Sequence, residues 1–242
     1  MQEKIKGIVL RTVKYGDKSL IVDLFTENHG RMSFMTALTR TKRTVCGASY
    51  WQHLSMVEFN ADIRPSNARL ARPTDVRLYY NYIDVPFSPV KSSIAMFVSE
   101  FLNAALREEK NNAALYSYLE SSFQWLDMTD DVSAIANFHI VFVMQLSRFI
   151  GIYPNTEDDG NYFDLMAGAY TYGQPPHSHF LKPEEARYLP LLFRMKYSTM
   201  HLFRFSRSAR MRILAVLCAY YRLHVPAFPE LKSLDVLHEM FD

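Results

Sequence analysis

The stretch that decides the fold is Leu20-Ile21-Val22-Asp23-Leu24-Phe25, a run of β-branched and apolar residues between two turn sequences. Tyr15-Gly16-Asp17-Lys18 precedes it, and Thr26-Glu27-Asn28-His29-Gly30 follows it, with a final glycine suited to positive φ. A similar apolar run occupies residues 5–11. This pattern predicts antiparallel strands joined by short turns.

Outward from this stretch, further strand-like runs occur at residues 31–35 and 54–59, with a weaker one at 68–76. Five short strands in the first eighty residues, without a long helix, predict a small closed β-barrel. Beyond residue 80 the apolar residues recur with helical spacing. The predicted helices are 89–106, 113–126, 131–150, 183–195 and 206–224.

We therefore predict an α+β chain with a boundary near residues 77–88. Residues 1–80 form the five-stranded barrel, and residues 81–242 form an α-helical domain. The connection at about 153–183 is rich in Gly, Pro, Asn and Asp, so we expect an irregular loop there.

Composition limits the class of protein. The chain has 242 residues, 49% of them apolar and 21% charged, which is typical of a globular protein. Two cysteines cannot form a disulfide framework or a four-thiolate metal site. The apolar stretch at 213–221 is too short to cross a bilayer, and the N-terminus lacks a signal-peptide apolar block. We expect a soluble cytoplasmic protein that does not bind a membrane.

Sequence motifs for catalysis are missing. The chain has no phosphate-cradling Walker loop, and the motifs G-x-G-x-x-G, G-x-S-x-G and H-E-x-x-H do not occur. His177-Ser178-His179, with Asp158 and Asp159 upstream, could hold a metal, but an exposed polar loop explains this pattern better. We predict a protein that is not an enzyme and has no catalytic residues, metal or cofactor.

Charge is distributed unevenly along the chain. The net charge is +6 over residues 1–80, −9 over 81–186, +8 over 187–222 and −3 over the remainder. Two basic segments beside an acidic one suggest a polyanionic partner. Ion pairing between the basic segments and the acidic middle is the alternative.

The basic residues of the barrel indicate phosphate contact. Arg40, Lys42 and Arg43 alternate with hydroxyl residues in a predicted loop between the third and fourth strands, and Lys14, Lys18 and Arg31 lie at or beside neighbouring turns. Cations release counterions from a nucleic acid, and hydroxyls fix its backbone. Arg204 and Arg207, near the start of the last long helix, could form a second patch.

Three aromatic residues could stack on bases. Core packing is favoured for Phe34, whereas Tyr50 and Trp51 remain open between the two roles.

Four segments of the chain carry a resemblance to one known family. They are Val9-Leu10-Arg11 with residues 15–31, the basic residues 39–44, Phe149-Ile150-Gly151-Ile152-Tyr153-Pro154, and residues 223–237. In this order they resemble the N-terminal domain, the basic loop, the helix end before a variable insert and the C-terminal signature of the RecO family of recombination mediators.

The resemblance implies an OB-fold followed by helices in a bacterial DNA repair protein. It implies binding of single- and double-stranded DNA and annealing of complementary strands. The implied partners are RecR, the acidic C-terminal tail of single-stranded DNA-binding protein and, indirectly, RecA. For the tail, Arg148 beside Phe149 is the candidate contact. Many relatives carry four zinc-binding cysteines after the position of Pro154, but residues 153–183 contain none, so we expect no structural zinc.

Two alternatives stay open. The barrel could bind protein, as an interaction adaptor, or it could bind RNA. DNA binding that is absent even at low salt favours the adaptor, and preference for RNA over a matched DNA strand favours the RNA-binding module.

Overall fold

The first part of the chain is a five-stranded antiparallel sheet. A computed structural model describes residues 2–37, 48–63 and 70–240. The strands are β1 (Gln2–Tyr15), β2 (Ser19–Thr26), β3 (Gly30–Ala37), β4 (Met56–Asp62) and β5 (Thr74–Leu78). Their order in the sheet is β3-β2-β1-β4-β5. The Met35 N–H on one edge donates to the Ala71 carbonyl beside the other edge, at 3.0 Å. The predicted five-stranded OB-fold barrel is confirmed.

The barrel core explains why these residues form strands. Alternate residues of β1 and β2 turn inward, as period-two spacing requires, and place Val9 and Val22 in the core. Phe34 and Phe59 meet edge to face, with ring centroids 4.9 Å apart. Trp51, in a short 3₁₀ turn (Ala48–Trp51), is also buried in this cluster. Phe34 and Trp51 are therefore core residues, with little ring surface left for a base.

Three helices belong to the same compact unit as the barrel: α1 (Pro89–Ala105), α2 (Ala113–Met128) and α7 (Ser233–Met240). This unit comprises the chain up to Met128 together with Leu231–Met240. α1 packs on β1, and α7 packs on α1. The Glu100 carboxylate of α1 accepts hydrogen bonds from the Lys232 and Ser233 N–H groups at the start of α7.

The second compact unit, Thr129–Glu230, is built around α3 (Val132–Phe149). By length and composition alone α3 could cross a membrane, but 61% of it is buried in the fold, as expected for a core helix. The unit also contains α4 (Pro183–Ala186), α5 (Leu189–Phe193) and α6 (Arg207–His224). α4 and α5 replace the single helix predicted at 183–195. Pro190 has no N–H for the Ala186 carbonyl, which accepts instead from the Tyr170 hydroxyl at 2.6 Å.

The segment 153–183 is more ordered than expected. It contains three short strands, β6 (Tyr162–Asp164), β7 (Ala169–Thr171) and β8 (Phe180–Leu181), in the order β7-β6-β8. Aromatic pairs hold them, including Phe163 edge to face with Tyr170. The Asp164 carboxylate accepts from two N–H groups of the following turn and lies 3.2 Å from the His177 ring. Within the described residues, no three side chains of His, Cys, Asp or Glu converge as metal ligands.

A buried carboxylate fixes the connection between β5 and α1. One Asp127 oxygen accepts from the N–H groups of Asp84 and Val85, each at 2.9 Å. The other accepts from the Ile83 N–H and the Tyr80 hydroxyl, each at 3.0 Å. Burial would raise the pKa of Asp127, but these donors outweigh that effect and hold the pKa below its ordinary value.

Asp127→Asn should destabilise the protein by about 2–4 kcal/mol, because either orientation of the amide turns an NH₂ group toward two donors. Urea denaturation measures the loss, with Asp130→Asn, an exposed neighbour, as the control. Because the folded-state pKa of Asp127 is lowered, its stabilisation is present above the unfolded-state pKa and is lost as the pH falls through the folded-state pKa. The free energies of unfolding of the unaltered protein and of Asp127→Asn should therefore converge in acid. Equal free energies of unfolding for these two proteins at neutral pH would contradict the stabilising role of Asp127.

Gly30 and Gly16 form a matched pair for a second prediction. Both have positive φ, +67° and +61° respectively. A Cβ on Gly30 would lie 2.6 Å from the Glu109 carbonyl oxygen, whereas a Cβ on Gly16 meets nothing within 4 Å. Gly16→Ala should lower the free energy of unfolding by about 1 kcal/mol, because of the backbone conformation alone. Gly30→Ala should lower it by at least twice as much, because its Cβ also meets the Glu109 carbonyl oxygen. Thermal melting measures both losses, and equal melting temperatures for the two variants would contradict this packing.

Candidate nucleic-acid interface

The hairpin between β1 and β2 carries two of the predicted cations. Lys14 lies near the end of β1 opposite Leu20, and Lys18 lies in the turn that leads into β2. Both side chains are exposed. Tyr15, next to Lys14, is 58% exposed and offers a ring at the same end of the hairpin. Sequence reasoning assigned Tyr15 only to a turn and did not consider it for stacking.

A polar pocket of about 260 Å³ opens beside this hairpin. Lys18 and Ser19 line one part of it, Thr36 and Ala37 another, and Arg72 a third. Arg72 is a functional candidate that sequence reasoning missed, because it falls in the weakest predicted strand. The closure of the barrel at Met35 and Ala71 brings Arg72 toward the β1–β2 hairpin.

The predicted basic loop follows the pocket residues Thr36 and Ala37 in the sequence. Arg40, Lys42 and Arg43 lie outside the described residues, in the segment that follows directly on Ala37. Their predicted role stays a prediction.

The Arg31 side chain forms hydrogen bonds within its own compact unit. Its guanidinium donates to both oxygens of Asn103 in α1, at 3.1 and 2.9 Å, and to the Asp23 carboxylate at 3.3 Å. Only 17% of its side chain is exposed. These bonds and the low exposure hold the guanidinium inside its own unit, so we leave Arg31 out of the proposed interface.

Other barrel cations are neutralised by a buried acid. Lys4 lies 2.7 Å from the Glu58 carboxylate, and Arg77 forms a very short ion pair with the same group. The hydrogen bond from Lys4, with that from Arg77, holds the pKa of Glu58 below its ordinary value against the effect of burial. Lys14, Lys18 and Arg72, in contrast, have no acidic partner within 4.0 Å among residues 2–37, 48–63 and 70–240. Their charge is available to a ligand.

Arg204 and Arg207 belong to the second compact unit. Arg204 is exposed before α6, and Arg207 is the first residue of that helix and only half-buried. The Ser206 side chain caps the helix by accepting from the Ala209 N–H at 3.2 Å. The helix start is thus well defined, and it presents Arg204 to solvent.

The second unit also contains an apolar groove of about 390 Å³ between α4, α5 and α6. Its floor is made of aliphatic and aromatic side chains, and its rim carries three charged residues. The residues that line it are Met144, Leu181, Glu184, Glu185, Tyr188, Leu189, Leu191, Leu192, Phe193, Phe205, Ala209, Arg212, Ile213, Val216 and Leu217.

The predicted tail contacts, Arg148 and Phe149, are not among the residues that line the groove. The Arg148 guanidinium stacks on the Tyr153 ring at 4.2 Å and donates to its hydroxyl at 2.6 Å. Tyr153 in turn packs edge to face on Phe193, which does line the groove. Arg148 is therefore separated from the groove by one aromatic residue.

Comparison with known proteins covers both parts of the chain. Residues 1–80 match the family described as Recombination protein O N terminal, and residues 86–235 match Recombination protein O C terminal. DNA repair protein RecO of Phocaeicola vulgatus is 49% identical over 100% of both chains, and that of Bacteroides fragilis is 47% identical, also over 100% of both. The protein of the same name from Porphyromonas gingivalis is 31% identical over 98% of both chains. The chain thus belongs to the RecO family of DNA repair proteins.

Proposed function

We propose that the chain is a cytoplasmic, non-enzymatic recombination mediator that holds single- and double-stranded DNA through phosphate contacts. The observation that carries the proposal is a polar pocket of about 260 Å³ on the barrel, lined by Lys18 and Arg72, with Lys14 on the same hairpin as Lys18. None of these three cations has an acidic partner among the residues that the structure describes. Lys42 and its neighbours Arg40 and Arg43 would extend this surface, and Arg204 and Arg207 would add a second patch.

The same surface favours strand annealing. Phosphate contacts neutralise charge on a bound strand, which lowers its repulsion of a complementary strand. Stacking of many bases would hide their pairing edges, but Phe34 and Trp51 are buried, and Tyr15 is the ring exposed beside Lys14. A strand held mainly by its backbone keeps its bases free to pair. Separately from annealing, the chain would assist the loading of RecA, together with RecR and single-stranded DNA-binding protein.

The apolar groove would receive the acidic tail of single-stranded DNA-binding protein. Such a tail needs an apolar floor for its terminal phenylalanine and cations for its carboxylates. Lys182 and Arg187 flank the lining residues in sequence, and Arg212 lies at the rim. Arg187 also stacks on the Tyr188 ring at 4.7 Å, which holds its charge beside the groove.

Neutralising the pocket should weaken DNA binding. In Lys18→Ala/Arg72→Ala the slope of log K against log salt should become shallower by about 1.4, since each contact with a single strand contributes about 0.7. Charge reversal at Arg40, Lys42 and Arg43 should flatten it further. Fluorescence anisotropy of a labelled single strand, titrated across salt, measures both effects.

The matched control for this experiment is Arg107→Ala/Lys110→Ala, which removes two exposed cations from the α1–α2 connection. An equal change of slope in the control would assign the effect to net charge and remove the pocket from the interface. If the unaltered protein fails to bind DNA at the lowest salt, the barrel serves a protein partner. Preference for a matched RNA strand would indicate an RNA-binding module.

A charge placed in the groove should weaken tail binding. Leu191 lines the groove and is 53% exposed, so Leu191→Asp adds a carboxylate there without emptying the core. We expect a loss of about tenfold in affinity for a labelled acidic peptide that ends in phenylalanine. Leu202→Asp, which adds the same charge at a 67% exposed position outside the groove lining, should bind normally. Equal losses in the two variants would place the tail elsewhere.

A further inference from the structure

The rim of the apolar groove contains a bidentate ion pair between Arg212 and Glu185. The Arg212 Nε donates to one oxygen of the Glu185 carboxylate at 2.6 Å, and Nη2 donates to the other at 2.9 Å. This is the geometry in which a guanidinium recognises any carboxylate. Both residues line the groove, one from α4 and the other from α6.

The pair is accessible to a competing ligand. The Arg212 side chain is 59% exposed and that of Glu185 is 37% exposed. An ion pair with this exposure contributes little to the stability of the fold, so it can open without unfolding the unit. The hydrogen bond from Arg212 lowers the pKa of Glu185, and the nearby charge of Lys182 lowers it too. Lys182 can therefore compensate the Glu185 carboxylate when Arg212 is withdrawn.

We propose that Glu185 occupies the guanidinium edge of Arg212 that a partner's terminal carboxylate takes, and that binding in the groove exchanges one carboxylate for the other. This inference rests on the proposed use of the groove as a peptide site. The exchange preserves two charge-assisted hydrogen bonds at Arg212 for a ligand that ends in a free carboxylate. A ligand without that group would either leave Glu185 in place or leave Arg212 unpaired. Glu185 thus selects chain ends over internal apolar segments.

The position of the pair supports this selection. An apolar side chain that enters the groove beside Ala209 and Val216 places its own backbone near the rim, where Arg212 lies on the same helix face. Glu184, the neighbouring acid on the rim, has no ion pair within 4.0 Å in the part of the chain that the structure describes. It carries the same charge as Glu185 and is more exposed, so it serves as the control for the ion pair.

The test compares Glu185→Gln with Glu184→Gln by fluorescence anisotropy. The probe is a labelled acidic peptide ending in phenylalanine, used with a free or an amidated C-terminus. Glu185→Gln should bind the free-acid peptide about threefold to fivefold more tightly, the fold-change expected for release of one exposed ion pair. Glu184→Gln should change the affinity much less, and the amidated peptide should show no gain with Glu185→Gln.

Removal of Arg212 completes the test. In Arg212→Gln the peptide should bind more weakly, and adding Glu185→Gln should then give no gain. Circular dichroism melting confirms that each variant is folded. Equal gains for Glu184→Gln and Glu185→Gln, or a gain that persists with the amidated peptide, would overturn the exchange.

The outcomes separate this inference from the proposed function. Peptide binding that Leu191→Asp weakens but Glu185→Gln does not strengthen would remove the exchange and keep the groove as the peptide site. If neither the unaltered protein nor any variant binds the peptide, both the exchange and the use of the groove as a peptide site would be excluded.

Discussion

The first compact unit depends on the Asp127 carboxylate. Four donors from residues 80–85 converge on its two oxygens, and the Lys91 amino group reaches the carbonyl of the same residue at 3.0 Å. Lys91 is almost fully buried and lies 2.6 Å from the Asp84 carboxylate. A buried cation needs such partners because desolvation is costly. The network ties the chain that leaves β5 to both α1 and α2, so the helices and the barrel form one unit.

Charge pairing within this unit determines which cations remain for a ligand. Glu58 forms ion pairs with Lys4 and Arg77, and Asp23 forms one with Arg31. These pairs remove three cations that net charge alone would have assigned to a polyanion. The cations at the β1–β2 hairpin and at Arg72 lack such partners within the described residues, so fewer cations are available to a ligand than the basic composition of residues 1–80 suggests.

Much of the fold could be predicted from local pattern. Alternation and turn glycines predicted four of the five strands to within four residues at each end, whereas the fifth, predicted at 68–76, spans Thr74–Leu78. The three strands at 162–181 could not be predicted, because runs of two or three residues carry no periodicity. Their order comes from pairs such as Phe163 with Tyr170, which only the folded chain brings together.

The sequence alone does not reveal contacts that depend on a distant partner. Arg31 has the sequence context of a turn cation, yet Asn103 in α1 engages it from 72 residues away. Arg212 belongs to the second basic segment, residues 187–222, for which ion pairing was the alternative to a polyanionic partner. The structure places it at the rim of the groove, because Glu185, 27 residues earlier, binds its guanidinium there.

A helical projection assigns each side chain to one face of a cylinder and ignores the length of the arginine stem, which can lie along apolar surface while its charged end reaches an acid. The same limitation applies to Arg148, whose stacking on Tyr153 could be inferred neither from spacing nor from charge. Charged residues near apolar surfaces are therefore best assigned from their partners. In this chain those partners distinguish cations that stabilise the fold from cations that remain available to bind.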